Sequence, residues 1–521
     1  MSNSSTAVFP IDDYAGAVPW RGPCSPGSPG MSTRSRTTRR AILPWTLAVA
    51  GTLLAIVAAA PAFILRRGLL LRWVNGQPES LSLAYASASA PWPGKVIVTG
   101  LELRGSDANV QWWFRMERAE VRYSVLDLLA KRFHATSVEA SGLRFRLRQR
   151  LSPGHATAAA RAPLPPIPGF GEVPVKGGPP FFPPPDDPSR YWQVQIGDLD
   201  APAREIWIDQ YRYTGDARVG GSFFLWPRKK SIVGPARVEF AGGRVRLGRD
   251  VAADSFRASV SGEIAPFDPR AVRGNEVYRY VSGEARAAGE VPGVRFLDYY
   301  LRDAAEPRLS GGHGKLEARL ALRRGEGALS VTLAAAGVRA DYRDSALVGD
   351  AIVRLRLDDW RPGAAEGRLR ETSLELADVA SSGGARRWWG TFDVAPGTLR
   401  STDAGLALSG RVAARCRDAR PLYTLFGVGL PKWARGIFDL DDFRGTAAVV
   451  LGPATVQVSG LDAHGGKFAV LGDYARRGRS IEGAFLVSRG PLSAGIDVGG
   501  GKPSLKIAGA KAWYAARKPG R

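Results

Sequence analysis

The chain of 521 residues has only two cysteines, Cys24 and Cys416, which excludes a disulfide framework and a cysteine-based zinc cluster. It has four histidines, His134, His155, His313 and His464, and none stands in HExxH or another ligand spacing. Four Gly-Lys pairs end at Lys95, Lys315, Lys467 and Lys502. Each lacks the earlier glycine and the following Ser or Thr of a phosphate-binding loop. No GxSxG elbow occurs with partners for a triad. The acidic pairs Asp358-Asp359 and Asp441-Asp442 are adjacent, and adjacent residues of a strand point to opposite faces, so they read as solvated turns. With so little of what catalysis needs, we expect a non-enzymatic protein with no cofactor and no metal.

Charge is missing from one place. Ala41 to Leu65 holds no charged residue, 25 positions that as a helix would run roughly 37 Å at ~1.5 Å per residue. A bilayer core is ~30 Å thick and a signal-peptide apolar region only ~7–15 residues long. We therefore expect an uncleaved transmembrane helix over 41–65, with Ala41, Trp45, Leu53, Leu54, Ile56, Val57, Phe63, Ile64 and Leu65 among its lipid-facing residues. A cleaved signal peptide and a buried core helix are the alternatives. Trp45 and Trp73 fall near the two edges of the run, where amphipathic rings settle. Arg34, Arg36, Arg39 and Arg40 precede it, and Arg66, Arg67 and Arg72 follow. The margin favours a cytoplasmic N-terminus and a single pass. Residues 1–40 show no apolar periodicity and read as disordered and basic. Within them Met31 opens MSTRSRTTRR, a basic segment suited to a start of translation.

Positive charge is what the chain has in excess, +23 overall. An anionic partner would explain it, either lipid headgroups or nucleic acid. A compositional bias would too, because Arg outnumbers Lys about five to one and the charge is spread along the chain. No nucleic-acid reading element is present, so we expect no nucleic-acid partner.

Beyond the anchor the pattern changes to strands. In PGKVIVTGLELRG, Val96 and Val98 share one face, and Leu101 and Leu103 follow a glycine. SVLDLLAKRF predicts a short helix capped by Ser124, with Val125, Leu128 and Leu129 on its apolar side. In VEASGLRFRLRQR, Leu143, Phe145 and Leu147 point one way and Arg144, Arg146 and Arg148 the other, toward water or anions. Residues 66–150 thus read as a β-rich segment. Residues 151–190 are proline-rich and read as a linker or insertion, since proline cannot donate to a ladder. Residues 191–521 again read as strand after strand. RRGEG (Arg323 to Gly327) predicts a hairpin, and Val294 to Leu301 and Arg420 to Phe438 predict helical pieces. A Ser-Gly phrase recurs before strands, with glycines Gly142, Gly262, Gly283, Gly311, Gly410 and Gly460, and suggests a bend or bulge at each.

Two stretches resemble the AsmA-like family of envelope proteins, related to the bridge-like lipid transfer group that includes TamB and YdbH. One is the apolar run followed by KVIVTGLELRG and AEVRYSVLDLLAKRFHATSVEASGLRFRLR. The other is VQVSGLDAHGGKFAVLGDYARRGRSIEGAFLVSRGPLSAGIDVGG near the C-terminus. Together they cover about a third of the chain, and the proline-rich insertion departs from the family pattern. The resemblance implies a mainly β fold, a long curved antiparallel-rich sheet forming a groove, apolar inside and polar outside. It implies a periplasmic domain tethered to the inner membrane, handling phospholipid for envelope homeostasis. The candidate groove face is then Val96, Val98, Leu101, Leu103, Leu143, Phe145 and Leu147. Membrane and phospholipids are the expected partners. The alternative is an envelope scaffold or outer-membrane assembly factor working through protein contacts.

Overall fold

Strands with one apolar and one charged face need hydrogen-bonding neighbours on both edges, and here short turns supply them by folding the chain back repeatedly. In the computed structural model, the described residues run from 63 to 517, except 64, 66, 77–80, 107–109, 152–155, 172–174, 176–190, 228, 269–270, 273, 301–307, 343–344, 382–383, 403–404, 420–439, 453–454, 479 and 500–501. The expected anchor residues Ala41, Trp45, Leu53, Leu54, Ile56, Val57 and Ile64 lie outside them. So do the N-terminal segment 1–40 and the predicted helix at 420–438. Phe63 and Leu65 are helical, and Phe63 is exposed. Among the described residues no helix is long and apolar enough to cross a membrane. Contacts divide the chain into residues 1–56 and 57–521, and only the second unit contains described residues.

Among the described residues 24 strands, from β1 (Leu81–Ala84) to β24 (Lys502–Lys506), join in one sheet. Sequence neighbours are sheet neighbours almost throughout, and nearly all pairs are antiparallel. Three positions hold a strand broken in two. β1 and β2 (Ser87–Trp92) both pair with β3 (Lys95–Ser106). β5 (Arg132–Ser141) and β6 (Leu143–Gln149) lie between β4 (Val110–Tyr123) and β7 (Gln193–Ile208). β15 (Glu366–Leu369) and β16 (Thr372–Ser381) lie between β14 (Ser345–Arg361) and β17 (Gly384–Thr402). At ~4.8 Å per strand the ribbon runs on the order of 100 Å along its hydrogen-bonding direction. Short α-helices fully within the described residues accompany it: α1 (Leu69–Val74), α2 (Val125–Leu129), α3 (Ala158–Arg161) and α4 (Ala510–Arg517).

One pairing explains the proline-rich stretch. β5 and β6 run parallel to β7. Parallel neighbours need a crossover, because the chain must return to the end from which it started. Residues 150–192 make that return, so the stretch read as a linker connects two strands of one sheet.

The glycines act in two ways. Gly100 (φ 60°) and Gly142 (φ 64°) are left-handed. In an unbroken strand residues 98 and 101 would face opposite sides. The left-handed turn at Gly100 restores them to one, and Leu101, Met116, Ala119, Ala140 and Leu143 meet in a single cluster. The expected bend therefore occurs at Gly142, and also at Gly311 and Gly460. Gly283 shows neither bend nor bulge, whereas at Gly262 the register shifts before Ile264, and opposite Gly410 it shifts between Val394 and Gly397, so an irregular pairing stands there without a left-handed residue. Gly262 pairs with Gly283, and Gly410 with Gly397, inside continuous strands. A Cβ on Gly283 would lie 2.5 Å from the Ser261 carbonyl oxygen, so bare backbone permits close strand approach there. The hairpin predicted at RRGEG is present, with Arg324 and Gly325 both at positive φ between β12 (Arg308–Arg323) and β13 (Glu326–Tyr342).

Toward the C-terminus one stretch of the sheet buries its apolar residues. Val379, Trp388, Cys416, Phe443, Val470, Val487 and Ile496 form a buried cluster, and Trp388 Nε1 donates to the Asp418 carbonyl at 2.8 Å. Cys416 is fully buried and desolvation pushes its thiol up to about 12. An alkylating reagent at pH 8 is expected to leave Cys416 unmodified in the folded protein and to label it in denaturant. Rapid native labelling, read by peptide mass spectrometry, would mean that this cluster opens.

Candidate functional site

Cross-strand partners lie on the same face of a sheet, so register traces each face without further assumption. One row runs Leu143, Ala203, Ala217, Phe240, Ala258, Ala287, Ala318, Val331 and Leu355, through nine consecutive strand positions from β6 to β14. The next runs Ala201, Val219, Val238, Val260, Ala285, Leu320, Leu329 and Leu357. On the opposite face one row reads Arg218, Glu239, Ser259, Arg286, Arg319, Ser330 and Arg356. An apolar face thus backs onto a charged one across the ribbon.

The apolar residues in mid-ribbon are half-exposed. Along β12, Leu316, Ala318 and Leu320 alternate as half-exposed with exposed Lys315, Glu317 and Arg319. Val260 on the same face is 39% exposed. Among the described residues two 3₁₀ helices lie at the ends of the middle strands, Gly274–Tyr280 beside Gly325 and Gly363, and Val294–Tyr299. In the second, Val294 and Phe296 bury against Leu247, Val291, Leu333 and Ala335 at one end of the strands. From strand spacing and ~3.4 Å rise per residue the remaining apolar area is on the order of 1,000 Å². Monomeric proteins rarely expose contiguous apolar patches above a few hundred Å².

All seven residues predicted for the groove face lie on this side. Leu103 pairs with Phe114 and Phe114 with Phe145. Leu147 pairs with Trp112, whose ring stacks on Phe114 at 6.0 Å. Val96, Leu101, Leu103, Phe145 and Leu147 are half-exposed, while Val98 and Leu143 are buried.

The basic face of the same strands is open to water as expected at Arg144, but not at Arg146 and Arg148. Arg148 is 3% exposed. Its guanidinium donates to Gln111 Oε1 at 2.9 Å, the Pro165 carbonyl at 3.1 Å and the Gly171 carbonyl at 2.9 Å. Arg146 donates to the Pro166 carbonyl at 2.9 Å and Arg104 to the Pro168 carbonyl at 3.0 Å. Residues 156–171 of the crossover lie on this face as a strap, with Pro163, Pro165 and Ile167 buried. The chemistry is complementary. Proline offers no N–H but keeps its carbonyl, and a guanidinium has five donors and no acceptor. Beneath the strap Arg146 lies 5.1 Å from the Trp113 ring and 5.7 Å from the Trp207 ring, and Arg212 lies 4.8 Å from Trp207. Glu205, 7% exposed, sits 3.3 Å from Arg146 and 3.4 Å from Arg212. The alternating W, R and E in QWWFR, LRFRLR and REIWI signalled this cluster, but only the pairing register brings them together.

At the end of β7, Asp209 accepts from the Gln149 backbone N–H at 2.7 Å, and burial raises its carboxyl above the ordinary range. A raised folded-state pKa means that the native state binds the proton more tightly. Stability then falls as pH rises from the unfolded value, ~3.9, through the folded one. Asp209→Asn keeps an acceptor and tolerates the residue's φ of 48°. The variant should melt above wild type at pH 7, and the difference should vanish below about pH 4. Equal melting curves at pH 7 would refute the cost assigned to this carboxylate.

Predicted helix α2 is present with its Ser124 cap, Asp127 N–H donating to Ser124 Oγ at 3.3 Å. Of its expected apolar side Val125 and Leu128 are half-buried, but Leu129 is 68% exposed; Leu126, outside that side, is 74% exposed. Of the histidines, His134 Nδ1 lies 2.9 Å from Asp127 Oδ2 and His464 Nε2 3.2 Å from Asp462 Oδ1. His313 is exposed on the charged face, and His155 lies outside the described residues. Among the described residues no three His, Cys, Asp or Glu side chains gather as a metal site. The chain matches no known family, no curated protein and no solved structure.

Proposed function

We propose that this protein is a non-enzymatic, membrane-anchored carrier that holds phospholipid acyl chains against the apolar face of its sheet. The observation that carries the reading is the unbroken apolar register from β6 to β14, buried near its two ends and half-exposed from Phe240 through Ala287 and Ala318 to Val331. Acyl chains cover such a face without specific polar contacts, at ~0.8 kcal/mol for each methylene fully buried. On this reading the ribbon curves around its apolar side as a groove. The run 41–65 crosses the inner membrane once from a cytoplasmic N-terminus, and the bulk of the chain works in the periplasm in envelope lipid homeostasis. The resemblance to the AsmA-like family and the Arg-rich flanks of the run support this arrangement.

A second reading has its own support. The buried cluster around Trp388 and Phe443 is a protein core rather than a groove, and favours a scaffold or outer-membrane assembly factor acting through protein contacts. Lipid occupancy separates the two. Residues 66–521 would be purified and extracted with organic solvent, and the extract read by mass spectrometry. Near-stoichiometric phospholipid is expected. A folded protein that carries none, and takes none from liposomes, would leave the scaffold reading standing.

A further inference from the structure

The first edge of the ribbon carries a second apolar feature, separate from the groove face. The turn joining β2 to β3 and helix α2 are bound together, because the Tyr123 N–H donates to the Gly94 carbonyl at 2.8 Å. A Cβ on Gly94 would lie 3.8 Å from Val125 Cγ2. Out of this joined turn and helix project Trp92, 71% exposed, Leu126, 74%, and Leu129, 68%. Helix α2 has four apolar residues out of five and buries none of them. The tip is nevertheless firmly built: Asp127 accepts from the Ser124-capped turn's partner His134 and pairs with Arg132 at 3.5 Å. Four cations, Lys95, Arg122, Lys131 and Arg132, stand with two carboxylates, Glu120 and Asp127, around it.

We infer that Trp92, Leu126 and Leu129 form a tip that dips into the headgroup layer of an anionic bilayer. Tryptophan prefers that layer, leucines favour the hydrocarbon just beneath it, and the surplus cations match acidic headgroups. The occupant is argued from position as well. The tip lies at the far end of the edge strand formed by β1 and β2, and the chain arrives from the apolar run against that same strand, at Leu83 and Tyr85. The Leu65 carbonyl accepts from Tyr85 Oη at 3.3 Å, and α1 docks Asn75 on Leu83. This second argument rests on the run 41–65 being an anchor; the chemistry of the tip does not.

The test places a fluorophore on the full chain carrying Cys24→Ser and Leu126→Cys, leaving buried Cys416 unlabelled. The protein is mixed with vesicles of phosphatidylcholine and phosphatidylglycerol, with or without a spin-labelled lipid quencher. The same label at Leu492→Cys, an exposed residue at the start of the strand Leu492–Gly499, is the control. At least about threefold stronger quenching at 126 than at 492 is expected, weakening in vesicles of phosphatidylcholine alone. Flotation of the chain reports the anchor and quenching at 126 reports the tip. Flotation with equal quenching at both sites would overturn the tip and leave the anchor. A blue shift at 126 that grows with protein concentration without vesicles would overturn it in favour of self-association.

Discussion

Leu320→Glu is expected to empty the sheet of lipid while leaving it folded. Leu320 is half-exposed on β12, flanked across the strands by Ala285 and Leu329. In the empty protein a carboxylate there keeps much of its water, so the fold survives. With acyl chains laid over it the charge would have to be desolvated, and the effective penalty is several kcal/mol. Each 1.4 kcal/mol is a factor of ten, so bound phospholipid should fall at least about tenfold. Arg319→Glu changes charge by more, but on the opposite face, and should keep its lipid. Leu357→Glu should not fold at all, because Leu357 on the same apolar face is fully buried. Leu143 is a poor site for the same reason, at 6% exposure, whereas Phe145 serves as well as Leu320. Mass spectrometry of extracted lipid together with a thermal melt reads all of these variants. Undiminished lipid on a folded Leu320→Glu protein would sink the proposal that this face is the binding surface.

Arg148→Ala is expected to free the strap and to cost roughly 3 kcal/mol of stability, since each buried acceptor left unsatisfied costs ~1–3 kcal/mol and part of that is relieved when the strap opens to water. The loss is large because three acceptors lose their donor at once, Gln111 Oε1 and the carbonyls of Pro165 and Gly171. Proline-rich backbone cannot compensate by pairing as a strand. Arg148→Lys should recover only part, since one ammonium cannot reach acceptors spread along the strap as a planar fork does. Urea unfolding gives the stability, and the rate of tryptic cleavage after Arg161 gives the release of the strap. An unchanged midpoint and unchanged cleavage would mean that the crossover is held by the buried Pro165 and Ile167 instead.

Much of this fold is legible in the sequence because strand alternation has a period of two and needs no long-range information. LRFRLR declares one apolar and one basic face wherever it is placed, and Leu143, Phe145 and Leu147 do share a face with Val96 and Leu101. The fate of each face is a different matter. Arg144 stays exposed while Arg148, four residues on, is buried, because the crossover happens to lie over one and not the other. No local pattern encodes that. The same limit explains Leu129, which the helical period assigns to a packed side and which has no neighbour to pack against. It explains the Ser-Gly phrases too: Gly142 bends its strand and Gly262 pairs in register with Gly283, a difference set by the partner strand.

The amino-acid sequence by itself determined that this is a mainly β chain with two-faced strands, short turns, a long uncharged run near its start and few groups suited to catalysis. Those properties are local, written in alternation, glycine placement and composition. Only the tertiary structure decided which surfaces remain open. The proline-rich stretch became a strap because β6 and β7 run parallel and the chain had to cross back. The apolar face stayed half-exposed in mid-ribbon because 24 strands pair edge to edge in one layer there, whereas the C-terminal strands bury their apolar residues around Trp388. Hydrogen bonding between strands fixes their order, but what covers a face depends on where distant segments return, and that is settled by the whole chain at once.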